Sequence, residues 1–134
     1  MAYTYRFLDK ENNVIYIGYT GQTMAQRMSQ HFGDKGHLPK ECYYSVAKIE
    51  YIKWKTKCDA QVMEVYYINK YKPRFNKLNK KNDTLTIVLD EKEWKTYQVL
   101  KTYTKAEYKL DWLSYILLIA LVYAVIQFII MYVR

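Results

Sequence analysis

Two short runs rich in β-branched and aromatic residues, 3–8 and 14–19, flank the polar turn Asp9-Lys10-Glu11-Asn12-Asn13, and this pattern predicts a β-hairpin. The pattern then changes. Thr23 followed three residues later by Gln26 is a capping-box signal, and it predicts a helix that carries Arg27, His31 and Phe32 and ends at Gly33 and Gly36. After a loop through Pro39, the apolar positions Val46, Ile49, Tyr51 and Ile52 predict a third strand near 44–51, with alternation irregular enough for a bulge. Thr56 with Asp59 opens a second helix, whose apolar residues Ala60, Met63, Tyr67 and Ile68 recur at three- and four-residue spacing. Pro73 disfavours helical geometry at Lys72, so this helix stops before it.

The texture is different after Lys81. Residues 85–89 predict a short strand, and Asp90 predicts the cap of a helix carrying Glu91, Glu93, Trp94, Tyr97 and Leu100, within a connector over 82–111. Residues 113–133, from Leu113 to Val133, contain no charged side chain. At about 1.5 Å per residue, a helix of that length crosses a hydrocarbon core of roughly 30 Å. The pattern therefore predicts a transmembrane helix over 112–134, with Trp112, Tyr115 and Tyr132 near its two interfaces. A buried core helix is the competing reading, but the preceding domain is too small to surround so apolar a cylinder. Lys92, Lys95, Lys101, Lys105 and Lys109 lie on the N-terminal side and only Arg134 beyond, which orients a single-pass span with the N-terminal domain, residues 1–81, in the cytoplasm.

Charge sharpens the picture. The 134-residue chain has a formal net charge of +8, of which +7 falls in residues 1–80. A polyanion is the simplest partner, because each Lys or Arg set against a phosphate releases condensed counterions; a merely soluble basic surface is the plainer alternative. Lys70, Lys72, Arg74, Lys77, Lys80 and Lys81 form a run without an acid, interleaved with Tyr71 and Phe75. It reads as a strip that contacts phosphates and positions a duplex without reading bases. Cys42 and Cys58 are too few and too far apart for a zinc site or a disulfide framework, and read as free thiols.

Along this scaffold stand Tyr5, Tyr16-Ile17-Gly18, Arg27, His31, Glu64 and Asn76, with the late element Lys72-Pro73-Arg74-Phe75-Asn76. Their order and placement resemble the GIY-YIG nuclease family over roughly residues 3–80. No single piece is diagnostic; the ordered set is. The first triplet, Tyr3-Thr4-Tyr5, lacks the family's glycine but keeps its tyrosine. The resemblance implies a small α+β domain with a three-stranded, mainly antiparallel sheet flanked by helices. It also implies a metal-dependent DNA endonuclease that hydrolyses phosphodiesters by activated water, without a covalent intermediate.

In that reading Glu64 holds one divalent cation, Mg²⁺ or Mn²⁺, whose shell is completed by water and substrate oxygens, so that binding is weak without substrate. Tyr5 or Tyr16 is the general base; the resemblance favours Tyr5 and gives Tyr16 a supporting hydrogen bond. A phenol with a pKa of about 10 costs about 4 kcal/mol to ionise at pH 7, a cost that Arg27 and the metal are expected to lower. His31, on the same helical face as Arg27, would take the phenolic proton onward. Arg27 would grip the scissile phosphate, and Asn76 would tie Glu64 or the backbone into position. His37 reads as solvated and has no role. The expected partners are DNA and a membrane, with a homodimer one route to cutting both strands and no small-molecule substrate. The alternative is a non-catalytic, basic nucleic-acid-binding module tethered at a membrane.

Overall fold

The computed structural model describes residues 1–34, 36–100 and 115–127, and its chain divides into two compact units, Met1–Thr102 and Tyr103–Arg134. In the first unit the expected hairpin forms: β1 (Ala2–Leu8) pairs antiparallel with β2 (Val14–Thr20). The turn is closed by Asp9, whose Oδ1 accepts from the backbone N–H groups of Glu11 and Asn13 at 3.1 and 2.8 Å. Asn12 takes the left-handed conformation, φ 62°, which asparagine tolerates better than most residues.

Helix α1 (Met24–Phe32) begins with the predicted capping box, Thr23 and Gln26 each bonding the other's backbone N–H. The third strand is displaced from its expected position near 44–51. Residues Lys40–Ser45 form a short helix, α2, and β3 follows at Lys48–Trp54. Cys42 and Val46, both buried, lie four residues apart, so one helical turn delivers the pair to the core; an apolar run read only for alternation hides that spacing.

The helix predicted after Asp90 is replaced by a strand. β4 (Lys95–Val99) pairs antiparallel with β3, and 85–89, expected to be a strand, has no regular structure. Partners far away in sequence decide this. Trp94 packs on Tyr67 at 4.9 Å between ring centroids and receives the Arg6 guanidinium at 4.2 Å, Tyr97 meets Tyr51, and Leu100 N–H donates to Ala47 O at 2.8 Å. Pairing with the exposed edge of β3 satisfies backbone groups that a weak local helix preference cannot. The sheet therefore has four strands, not three, all antiparallel, in the order β2-β1-β3-β4.

Helix α3 (Lys57–Tyr71) starts at the Thr56–Asp59 capping box and ends where Lys72 turns left-handed at φ 50°. It covers one face of the sheet, burying Ile17, Ile52, Met63, Tyr66, Tyr67 and Ile68. The opposite face, under α1 and α2, buries Tyr5, Phe7, Tyr16, Met24, Met28, Cys42, Val46 and Ile49. Alternation along β1 sends Tyr5 and Phe7 to the α1 side. Thr4 and Arg6 go to the α3 side, where Thr4 donates to Ala60 O at 2.9 Å and Arg6 to Glu50 at 2.8 Å. Cys42 is buried, Cys58 exposed, and both are free thiols.

In the second unit, residues 115–127 are helical with exposed side chains. The remainder of the expected span, with Trp112, Tyr132, Arg134 and the lysines at 101, 105 and 109, lies outside the described residues. Among the described residues no helix is long and apolar enough to cross a membrane.

Candidate active site

The hairpin register places Tyr5 directly opposite Gly18 and Phe7 opposite Tyr16, all on the α1 face of the sheet. Gly18 makes room for Tyr5: a Cβ there would stand 2.5 Å from the phenol oxygen and 2.6 Å from Cζ, closer than any side chain tolerates. The Tyr5 ring thus lies across the glycine and presents its hydroxyl to α1. Arg27 and His31, one helical turn apart, meet it there. Arg27 Nε–H donates to Tyr5 Oη at 2.9 Å, and His31 Nε2 lies 2.7 Å from the same oxygen. Tyr16 completes the pocket, its ring centroid 6.3 Å from that of Tyr5 and 5.7 Å from that of His31. Four of the expected residues, distant in sequence, converge here.

Burial sets the electrostatics of the pocket. Tyr5 and His31 are almost wholly inaccessible. Desolvation raises the Tyr5 phenol well above its ordinary value, the neighbouring Tyr16 adds to this, and Arg27 pulls the other way without offsetting it. The relief expected from Arg27 is therefore present but smaller than the cost of burial. Tyr16 is pushed up to about 12, chiefly by burial. His31 is pulled down to about 3 by burial, then by the charges of Arg27 and His37, so it is a neutral imidazole at physiological pH. Arg27 itself is half-buried, its Nη1 reaching Gln30 at 3.5 Å while Nη2 has no partner among the described residues.

Glu64 approaches from α3, beside the end of β2. Burial pushes its carboxyl up to about 7, with the Tyr19 backbone amide and Arg27 pulling it down. It is half-buried and forms no ion pair among the described residues. No group of three or more His, Cys, Asp or Glu among those residues gathers to hold a metal. A single desolvated carboxylate lacking a counter-cation fits a hard divalent ion that keeps most of its shell for water and phosphate oxygens. Mg²⁺ and Mn²⁺ both suit such a donor.

Asn76 acts on the backbone rather than on Glu64. Its Oδ1 accepts from Ile17 N–H and its Nδ2 donates to Ile17 O, both at 2.8 Å, while Phe75 N–H donates to Ile15 O at 3.0 Å. This segment seals the outer edge of β2 next to Gly18, so Asn76 fixes the strand on which Tyr16 and Gly18 sit.

The basic run is divided in its use. Lys70 pairs with Glu91, Lys72 Nζ binds the carbonyls of Lys81 and Asp83, and Lys80 Nζ binds Pro73 O at 2.8 Å. Arg74, exposed, donates to Ser45 at 2.8 Å and stacks over Phe75. The side chains of Lys77 and Lys81 are exposed and have no partner among the described residues. Half of the strip thus secures the loop after α3.

Sequence reasoning overlooked two neighbours of the pocket. Tyr43 Oη lies 3.4 Å from His31 Nδ1 and accepts from Leu38 N–H at 3.1 Å. His37, though exposed as expected, places its ring centroid 5.0 Å from that of His31 at the mouth of the pocket. Neither residue belongs to a periodic or motif pattern, so no local signal marks them.

Residues 1–82 match the family model described as the GIY-YIG catalytic domain. The chain is also similar to UvrABC system protein C of Streptomyces coelicolor, 33% identical over 75 residues, which are 54% of this chain and 10% of that protein. Over 93 residues it is 30% identical to the protein of the same name from Mycobacterium marinum, covering 65% of this chain and 14% of the relative. The Bacteroides thetaiotaomicron protein is 33% identical over 93 residues, 67% of this chain and 15% of the relative. The chain thus spans only a small part of the length of these proteins. It belongs to the GIY-YIG family, and residues 1–82 are its catalytic domain.

Proposed function

We propose that this chain is a DNA endonuclease that hydrolyses phosphodiester bonds with an activated water, uses one divalent cation, and is held at a membrane by residues 113–133. The observation that supports the chemistry is the buried Tyr5 oxygen, contacted at once by a permanent cation, Arg27, and a neutral imidazole, His31. Tyr5 draws a proton from the attacking water as its own hydroxyl proton passes to His31 Nε2, so the proton rests on an imidazole whose charging burial and Arg27 oppose, rather than leaving a free phenolate. Arg27, anchored through Nε, keeps its outer nitrogen for the phosphate oxygens on which charge grows. Glu64 would hold the divalent ion, which would supply electrophilic stabilisation of the phosphate. The exposed side chains of Arg74, Lys77 and Lys81 contribute sequence-independent phosphate contacts.

Nicking of supercoiled plasmid by the full chain with Mg²⁺, set beside Glu64→Ala, tests the chemistry. The variant is expected to lose about 10²–10³-fold, a loss comparable to removing one transition-state-stabilising group. Equal rates in the two proteins would remove the proposal. The tether rests on the uncharged stretch 113–133 and on the lysine excess before it, which sets the catalytic domain in the cytoplasm. Extraction of the chain from membranes by alkaline carbonate would refute the tether and leave the chemistry standing.

A further inference from the structure

Tyr5 Oη accepts from Arg27 Nε–H, which can only donate, so the phenolic hydrogen must find an acceptor of its own. The nearest acceptor it meets is His31 Nε2, at 2.7 Å, with the hydroxyl of Tyr16 a more distant second. Tyr5 is 0% exposed, and in the opposite arrangement, with Nε2–H donating to Tyr5, its hydroxyl hydrogen would give up this short bond for the longer approach to Tyr16. The arrangement that keeps the short bond is a neutral His31 with its hydrogen on Nδ1, which faces Tyr43 Oη at 3.4 Å. Leu38 N–H holds that oxygen in place at 3.1 Å, leaving a second lone pair for the imidazole. The other polar groups near the ring are Arg27, Tyr16 and His37; the first is bonded to Tyr5, the second meets the ring edge-on at 5.7 Å between centroids, and the third lies tilted to it at 5.0 Å.

We infer that Tyr43 is a positioning residue that holds His31 in the Nδ1–H tautomer, leaving Nε2 unprotonated and aimed at the hydroxyl of Tyr5. This rests on the reading of Tyr5 as the proton acceptor from water. With the tautomer fixed, the proton leaving Tyr5 has an empty lone pair to enter. With the other tautomer the imidazole could not accept it, and the ring would have to flip or exchange its proton first.

Long-range ¹H–¹⁵N spectra of the full chain report which nitrogen of His31 bears the proton, and plasmid nicking reports the rate. The expected result is the Nδ1–H form in the native chain, a shift toward Nε2–H in Tyr43→Phe, and a kcat about tenfold lower with KM unchanged. A native chain in the Nε2–H form would overturn the inference without recourse to any variant. So would a Tyr43→Phe protein that keeps both its tautomer and its kcat, or one that loses activity through lower stability while the tautomer stays the same. A native chain that holds the Nδ1–H form through Tyr43 yet never nicks DNA would sustain the assignment and end the nuclease reading instead.

Discussion

Replacing Glu64 by Gln should damage catalysis and stabilise the fold, and the two effects can be measured apart. The carboxyl moves from its ordinary 4.5 to about 7, first because it is desolvated against β2. At 1.36 kcal/mol per unit that is roughly 3 kcal/mol; screening of a half-buried group by water reduces it to about 1–2 kcal/mol. The folded-state pKa lies above the unfolded one, so the contribution is fully present below pH 4.5 and is lost as the pH rises through 7. Glutamine has nothing to ionise. In urea unfolding with EDTA present, Glu64→Gln should be more stable than the native chain by about 1–2 kcal/mol at pH 8. At pH 5 the advantage should have largely vanished, while nicking in Mg²⁺ is lost at every pH. A variant that is less stable at pH 8, or whose advantage is constant from pH 5 to 8, would show that Glu64 is not held in a desolvated site.

Gly18→Ala should force the Tyr5 ring away from Arg27 and His31, costing about 1–3 kcal/mol as other overpacked cores do; thermal unfolding and nicking should both fall, and native-like activity would contradict the contact. Asn76→Ala leaves the N–H and C=O of Ile17 buried and unpaired at about 1–3 kcal/mol, visible as lost hydrogen-exchange protection at the Ile17 amide. Arg27→Lys retains the charge but not the planar fork that bonds Tyr5 through Nε, so kcat for nicking should fall with little change in melting temperature. A chain ending at residue 82 lacks β4 and Trp94, and should melt lower than one ending at 102; equal melting would mean that β4 is a passenger.

The hairpin, the two capped helices and the order of site residues were legible because their signals are local: a polar turn, Thr23 with Gln26, Thr56 with Asp59. What escaped was set by contacts distant in sequence. The stretch 90–100 has the composition of an exposed helix, and only the open edge of β3 and the Arg6 guanidinium waiting for Trp94 make it a strand. Helix α2 escaped because Cys42 and Val46 meet the core in a single turn, too short to display a period. At the site, the family resemblance named Tyr5, Arg27, His31 and Glu64, but not the dominance of burial over the field of Arg27, which depends on how deep the pocket lies. Tyr43 could not be told from fifteen other tyrosines without coordinates.

The strand order has a bearing on attachment. β2, with Gly18 and the sealed edge beside the pocket, and β4, from which the polypeptide departs toward residue 100, are opposite margins of the sheet. At a little under 5 Å per strand, they are about 14 Å apart. A partner or fusion joined directly after β4 is therefore attached at the margin of the sheet away from Gly18.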